Sequence, residues 1–84
     1  TRQVLVRNKD IRLTPKEFDI LELLVRNRGI VLSISKIYEA VWKEDFLKSN
    51  NTVMVHITNI REKIEDDPKN PIYIKTIWGV GYKI

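Results

Sequence analysis

The sequence predicts a small α+β domain, with short antiparallel strands at both ends and three helices between them. Three observations carry that prediction. Val53, Ile57, Ile60 and Ile64 fall at i, i+4, i+7 and i+11, one apolar stripe on one helical face. Directly after that helix, Ile72 to Ile77, a turn-like Trp78-Gly79-Val80-Gly81 and Tyr82-Lys83-Ile84 read as a β-hairpin. Near the start, Thr14-Pro15-Lys16-Glu17 is a strong helix-start signal that follows two strand-like runs.

Taken in order, Gln3 to Val6 and Ile11 to Leu13 are the first two strand-like runs, and Asn8-Lys9-Asp10 between them has turn chemistry. Thr14 can cap the first helix, Pro15 suits its first position, and Glu17 closes a capping box. Phe18, Leu21, Leu24 and Val25 follow at helical spacing, and Gly29 fits just past the end, so this helix should run from about Pro15 to Arg28. Ile30-Val31-Leu32 is a brief extended link. Ser33 or Ser35 can cap the second helix, whose buried face is Ile34, Ile37, Tyr38, Val41 and Trp42. Lys43 to Asn50 is polar apart from Phe46 and Leu47 and reads as a loop. Ser49 or Asn50 caps the third helix, which should end near Glu65. Asp66-Asp67-Pro68-Lys69-Asn70-Pro71 is a loop, because two prolines and Asn70 break any helix. The end strands are expected to pair into one small sheet against a three-helix core.

The composition narrows the function. Eighty-four residues make one domain, and 43% hydrophobic with 31% charged residues suits a folded chain. There is no cysteine, hence no disulfide framework and no thiolate metal site. No apolar run approaches the roughly 20 residues of a membrane span, and Thr1-Arg2-Gln3-Val4 lacks a signal-peptide pattern. The chain starts without methionine and reads as a domain taken from a longer protein. A net charge of +4 favours a polyanionic partner such as nucleic acid. The third helix next to a protruding hairpin, in a basic chain of this size, is the layout of a winged helix-turn-helix DNA binder.

Specific segments then carry a resemblance. They are Leu13-Thr14-Pro15-Lys16-Glu17-Phe18, Val41-Trp42, Asn51 to Ile57, Ile60-Arg61-Glu62-Lys63-Ile64 and Ile74 to Tyr82. With these the chain resembles the C-terminal effector domain of OmpR/PhoB response regulators, nearest in style to VanR-like members. The resemblance implies a cytoplasmic transcription regulator, not an enzyme, with no cofactor. It implies a phosphorylatable receiver domain ahead of Thr1, through which a sensor histidine kinase acts. It places the third helix in the major groove and the hairpin as a wing at the minor groove. It makes Trp42, Asn51, Thr52, His56, Arg61 and Tyr82 phosphate contacts, turns Met54, Val55, Thr58 and Asn59 to base edges, and sets Lys75, Thr76 and Trp78 on the wing. It implies double-stranded direct-repeat sites and an RNA polymerase contact through the loop from Lys43 to Asn50. Some relatives carry arginines where this chain has Asn51, Thr58, Asn59 and Trp78, so a relative's operator cannot be copied.

Blander readings stand beside these. Val55 on the outward face is either a lone surface valine or an apolar contact for a thymine methyl. His56, the single histidine, reads as packed or phosphate-contacting, since no converging ligands or nucleophile accompany it. Glu44, Asp45, Glu65, Asp66 and Asp67 read as solvated charges. Gly79 and Gly81 complete no phosphate-loop pattern and are expected to permit positive φ in a tight hairpin. Trp78 can be core or wing surface, and Trp42 partly core. A winged helix that binds a protein partner instead of DNA is the competing function; steep salt dependence of duplex binding separates the two.

Overall fold

The structure, a computed structural model, describes residues 2–84, with side chains from Val4 onward. Strand β1 (Arg2–Val6) pairs antiparallel with β2 (Lys9–Leu13), Val4 lying opposite Ile11. Their connection is tighter than the expected turn at Asn8-Lys9-Asp10. Arg7 and Asn8, at φ 49° and 66°, alone make it, the left-handed pair that matches strand twist in a two-residue hairpin. Lys9 and Asp10 are therefore strand.

Helix α1 (Pro15–Arg26) starts as its sequence predicts. The Thr14 hydroxyl accepts from the Glu17 amide at 3.3 Å, and the Glu17 carboxylate accepts from the Thr14 amide at 2.9 Å. It ends two residues earlier than expected, where the Asn27 side chain donates back to the Leu23 carbonyl at 2.8 Å. Its buried face is Glu17, Ile20, Leu21 and Leu24. Val25, one 100° step further round, is exposed rather than core.

Helix α2 (Ile34–Trp42) is capped by Ser33, whose hydroxyl accepts from the Lys36 amide. It stops at Lys43, which turns left-handed at φ 59°. Ile37, Tyr38 and Val41 are buried, with Ile34 and Trp42 half-buried. Helix α3 (Thr52–Ile64) begins where the Asn50 side chain accepts from the Thr52 amide at 2.8 Å. Its stripe of Val53, Ile57, Ile60 and Ile64 is wholly in the core. Truncating one such side chain, as in Ile57→Ala, should cost about 2–5 kcal/mol.

The C-terminal hairpin is β3 (Lys75–Ile77) and β4 (Gly81–Lys83), shorter than the expected run from Ile72. Glu65 explains the difference and corrects its reading as a solvated charge. Its buried carboxylate accepts the backbone N–H groups of Ile72, Tyr73 and Ile74 at 2.9–3.1 Å. Those amides are satisfied by a side chain and not by a strand partner. Other acids are engaged too: Glu44 accepts from the Tyr38 hydroxyl, Asp66 pairs with Arg7, and Asp67 accepts from Lys69 and Asn70.

The two hairpins do not share one sheet. The edge of β4 is taken instead by the link before α2: Leu32 and Tyr82 exchange both backbone hydrogen bonds, at 2.8 and 3.0 Å, and the Gly29 amide donates to the Ile84 carbonyl. This pairing accounts for Gly81, whose φ is not positive. A Cβ there would lie 1.9 Å from the Leu32 carbonyl oxygen, so only glycine allows the approach. Gly79, at φ 77°, is the one that serves the turn. No helix among the described residues is long and apolar enough to cross a membrane.

Candidate nucleic-acid interface

With its apolar stripe in the core, α3 turns Met54, Val55, Thr58 and Asn59 outward, all exposed. Val55 is 47% exposed on this face. Successive residues of the set lie within one turn of each other, so together they cover a short strip. The Thr58 hydroxyl donates to the Met54 carbonyl at 3.0 Å, which commits its hydrogen and leaves it as an acceptor toward a ligand.

An aromatic block flanks the strip. Trp42 stacks on Tyr38 with ring centroids 5.1 Å apart and planes 8° from parallel. His56 meets the same indole edge-on at 5.0 Å. The His56 Nδ1 lies 2.8 Å from the Thr52 carbonyl oxygen. A carbonyl only accepts, so Nδ1 holds the hydrogen and Nε2 is left for a ligand. Asn51 is exposed and Thr52 half-buried at the start of the helix. Lys16 was not singled out by the sequence reading. It comes from α1, places its Nζ 5.5 Å from the Trp42 ring centre, and donates to the Val41 carbonyl at 3.3 Å. No spacing signal links it to Trp42; only the packing of α1 on α2 does.

The hairpin stands on the other flank. Trp78 is 89% exposed, which resolves it as wing surface. It lies in the turn beyond β3, outside the alternation that buries Ile74. Lys75 is exposed, and Thr76 is half-buried. Between the hairpin and the start of α2, with Met54 of α3 at its side, lies a groove of about 350 Å³ lined by Ser33, Phe46, Met54, Thr76, Trp78 and Val80 among others. Tyr82 is a core residue, 8% exposed, so little more than an edge of it remains for a ligand.

The cations of α3 are turned away from the strip. Lys63 Nζ lies 2.6 Å from Glu17 Oε1. Burial pushes the Glu17 carboxyl up, but the Lys63 hydrogen bond and those from Thr14 outweigh it and hold it below the usual glutamate value. Arg61 is half-buried between helix and hairpin, donating through Nη2 to the Ile74 carbonyl and the Thr76 hydroxyl. From Asn51 to Ile60 there is no lysine or arginine. The loop after α2 is also ordered by contacts: the Phe46 amide donates to Glu39, and the Phe46 ring meets Tyr38 edge-on at 5.7 Å. Phe46 is thus half-buried against the core, whereas Leu47 is exposed.

Comparison with known proteins agrees with this geometry. Residues 8–84 match the family described as "Transcriptional regulatory protein, C terminal". The chain is 49% identical over 84 residues to the regulatory protein VanRc of Enterococcus gallinarum, covering all of this chain and 36% of that protein. It is 47% identical over 78 residues to the alkaline phosphatase synthesis transcriptional regulatory protein PhoP of Bacillus subtilis, covering 93% and 32%. The chain therefore spans about a third of the length of these relatives. Among solved structures it is similar to the Klebsiella pneumoniae RstA DNA-binding domain in complex with the RstA box, with a TM-score of 0.89 and 26% identity, covering 98% and 81% of the two chains. It is also similar to the Thermotoga maritima OmpR/PhoB homologue DrrB, with a TM-score of 0.85 and 44% identity, covering 96% and 36%. The chain belongs to the transcriptional regulatory protein C-terminal family, the winged-helix DNA-binding effector domains of OmpR/PhoB response regulators, and not to a family of enzymes.

Proposed function

We propose that this domain binds double-stranded DNA sequence-specifically, with α3 in the major groove and the β3–β4 hairpin at the adjacent minor groove, to control transcription. The observation that carries the reading is the continuous surface on which Met54, Val55, Thr58 and Asn59 stand exposed between the Trp42–His56 block and the exposed Trp78. Asn59 can pair bidentately with an adenine, and Val55 can cover a thymine methyl, so A·T pairs belong in the half-site. Trp42, Asn51, Thr52, His56 and the exposed edge of Tyr82 meet phosphates, which fix the register without reading sequence. Lys75, Thr76 and Trp78 form the wing's contact edge.

Because the α3 strip has no cation, one half-site should bind weakly, with Kd above roughly 10⁻⁸ M. Two copies on a direct repeat should gain affinity when a receiver domain joins them. That receiver belongs to the remaining length of the protein, in the cytoplasm, and takes its phosphoryl group from a sensor histidine kinase. The loop from Lys43 to Asn50 is the contact for RNA polymerase. Leu47 is its exposed apolar residue, so Leu47→Ala should lower transcription while leaving duplex affinity in place.

Selection of bound duplexes from a random pool tests the main reading, followed by titration at rising salt. Enrichment of an A·T-containing half-site and affinity that falls with salt are expected. Salt-independent binding with no enriched sequence would favour a protein-binding winged helix instead.

A further inference from the structure

Arg61, on α3, touches both strands of the hairpin. Its Nη2 donates to the Ile74 carbonyl at 2.8 Å and to the Thr76 hydroxyl at 2.9 Å, just before and within β3. The same guanidinium lies over the Tyr82 ring of β4, 5.6 Å from its centre. Its Nε is shielded from solvent and meets no acceptor among the described residues. A buried N–H without a partner is a cost, so the two Nη2 bonds and the ring contact must more than offset it. Both bonds leave one nitrogen, Nη2; a lysine in its place is one bond shorter and has no planar face to lay over the Tyr82 ring.

We infer that Arg61 is a positioning residue that fixes the hairpin against α3, so that wing and helix meet one duplex at a set spacing, and that it is not a phosphate contact. The inference rests on the reading of α3 and the hairpin as one DNA-binding surface. Held at Ile74, Thr76 and Tyr82, a guanidinium that reaches no phosphate displaces no counterion on binding. It therefore adds nothing to the salt slope, although it is one of only two cations on the helix.

The test compares Arg61→Lys, Arg61→Ala and Thr76→Val in this chain. Two measurements are made: amide hydrogen exchange of Lys75 and Ile77 without DNA, and titration of a selected duplex and of versions altered on the wing side or the helix side. Arg61→Lys keeps the charge but loses the reach and the planar face, so exchange of the Lys75 and Ile77 amides should rise about tenfold as the hairpin loosens. Preference for the wing-side base pairs should fall about fivefold, about 1 kcal/mol at RT of 0.59 kcal/mol, while helix-side preference and salt slope stay unchanged. Thr76→Val removes one acceptor without touching the cation and should raise the same two exchange rates by less; exchange alone is read for it, because Thr76 itself lies on the wing's contact edge. It keeps the test decisive if Arg61→Ala does not fold. The inference is overturned if Arg61→Lys exchanges and discriminates like the parent while Arg61→Ala lowers the salt slope by about one unit. If no duplex is discriminated even by the parent, the DNA-binding reading fails, and the exchange measurement still decides whether Arg61 holds the hairpin.

Discussion

His56 stands edge-on to Trp42, ring centroids 5.0 Å apart, with its Nδ1 hydrogen committed to the Thr52 carbonyl. Two elements meet in that contact: the end of α2 supplies the indole and the first turns of α3 supply the imidazole. An edge-to-face pair is worth about 0.5–1.5 kcal/mol beyond its buried area. Trp42→Ala frees the imidazole and removes the surface under Lys16. All duplexes should weaken together, by about two- to tenfold, with the order of preference among altered sites unchanged. Titration of a panel of single-base variants checks this; a preference that moved at one position would place Trp42 or His56 at a base.

Asn59 is exposed on the outward strip and carries the amide geometry for adenine. Asn59→Ala should cost on the order of 1–3 kcal/mol against the preferred site and relax selectivity at about one base pair. A uniform loss over the whole panel would show that this amide meets the backbone.

Glu65 gathers three backbone amides that have no strand partner. Glu65→Ala leaves them without this acceptor, the Ile74 amide in a buried place, which should cost on the order of 3 kcal/mol. Urea unfolding measures it. Glu65→Gln keeps an acceptor oxygen and should lose less; equal midpoints for Glu65→Ala and the parent would refute the role.

Glu17 has a folded-state carboxyl held below its ordinary value, because the hydrogen bonds from Lys63 and Thr14 overcome burial. The sign follows from that direction. A depressed carboxyl contributes stability that is present above the unfolded value of roughly 4.3 and is lost as pH falls through the lower folded value. Urea midpoints followed from neutral into acid should fall for the parent. Glu17→Gln should begin lower and fall less steeply over that window. A parallel pair of curves would mean that Glu17 is not linked to folding.

The β1–β2 hairpin covers the core: Leu13 is buried, and Val4, Val6 and Ile11 pack against it. A chain beginning at Thr14 exposes that side of the core and should melt well below the parent, by several degrees for each kcal/mol lost. Identical melting of the two chains would sink this assignment.

Local chemistry determined a large part of this protein from sequence alone. Thr14, Pro15 and Glu17 start α1 because a capping box is complete within four residues, and the Val53–Ile64 stripe identifies the buried face of α3 because helical period needs no distant partner. With the stripe placed, the outward residues from Met54 to Asn59 follow by rotation. What the tertiary structure alone decided were relations between residues far apart in the chain. Glu65 looks like a surface acid until the chain returns and presents the amides of Ile72 to Ile74 to it. Leu32 takes the edge of β4, which keeps the two hairpins in separate sheets and requires Gly81 for closeness and not for φ. Lys16 reaches Trp42 across helices, and Arg61 meets Ile74 and Thr76 of the returning chain. Periodicity and capping act over one or two turns and can be read along the chain. A side chain's final partner is set by which surfaces meet when the core closes, and no local pattern encodes that.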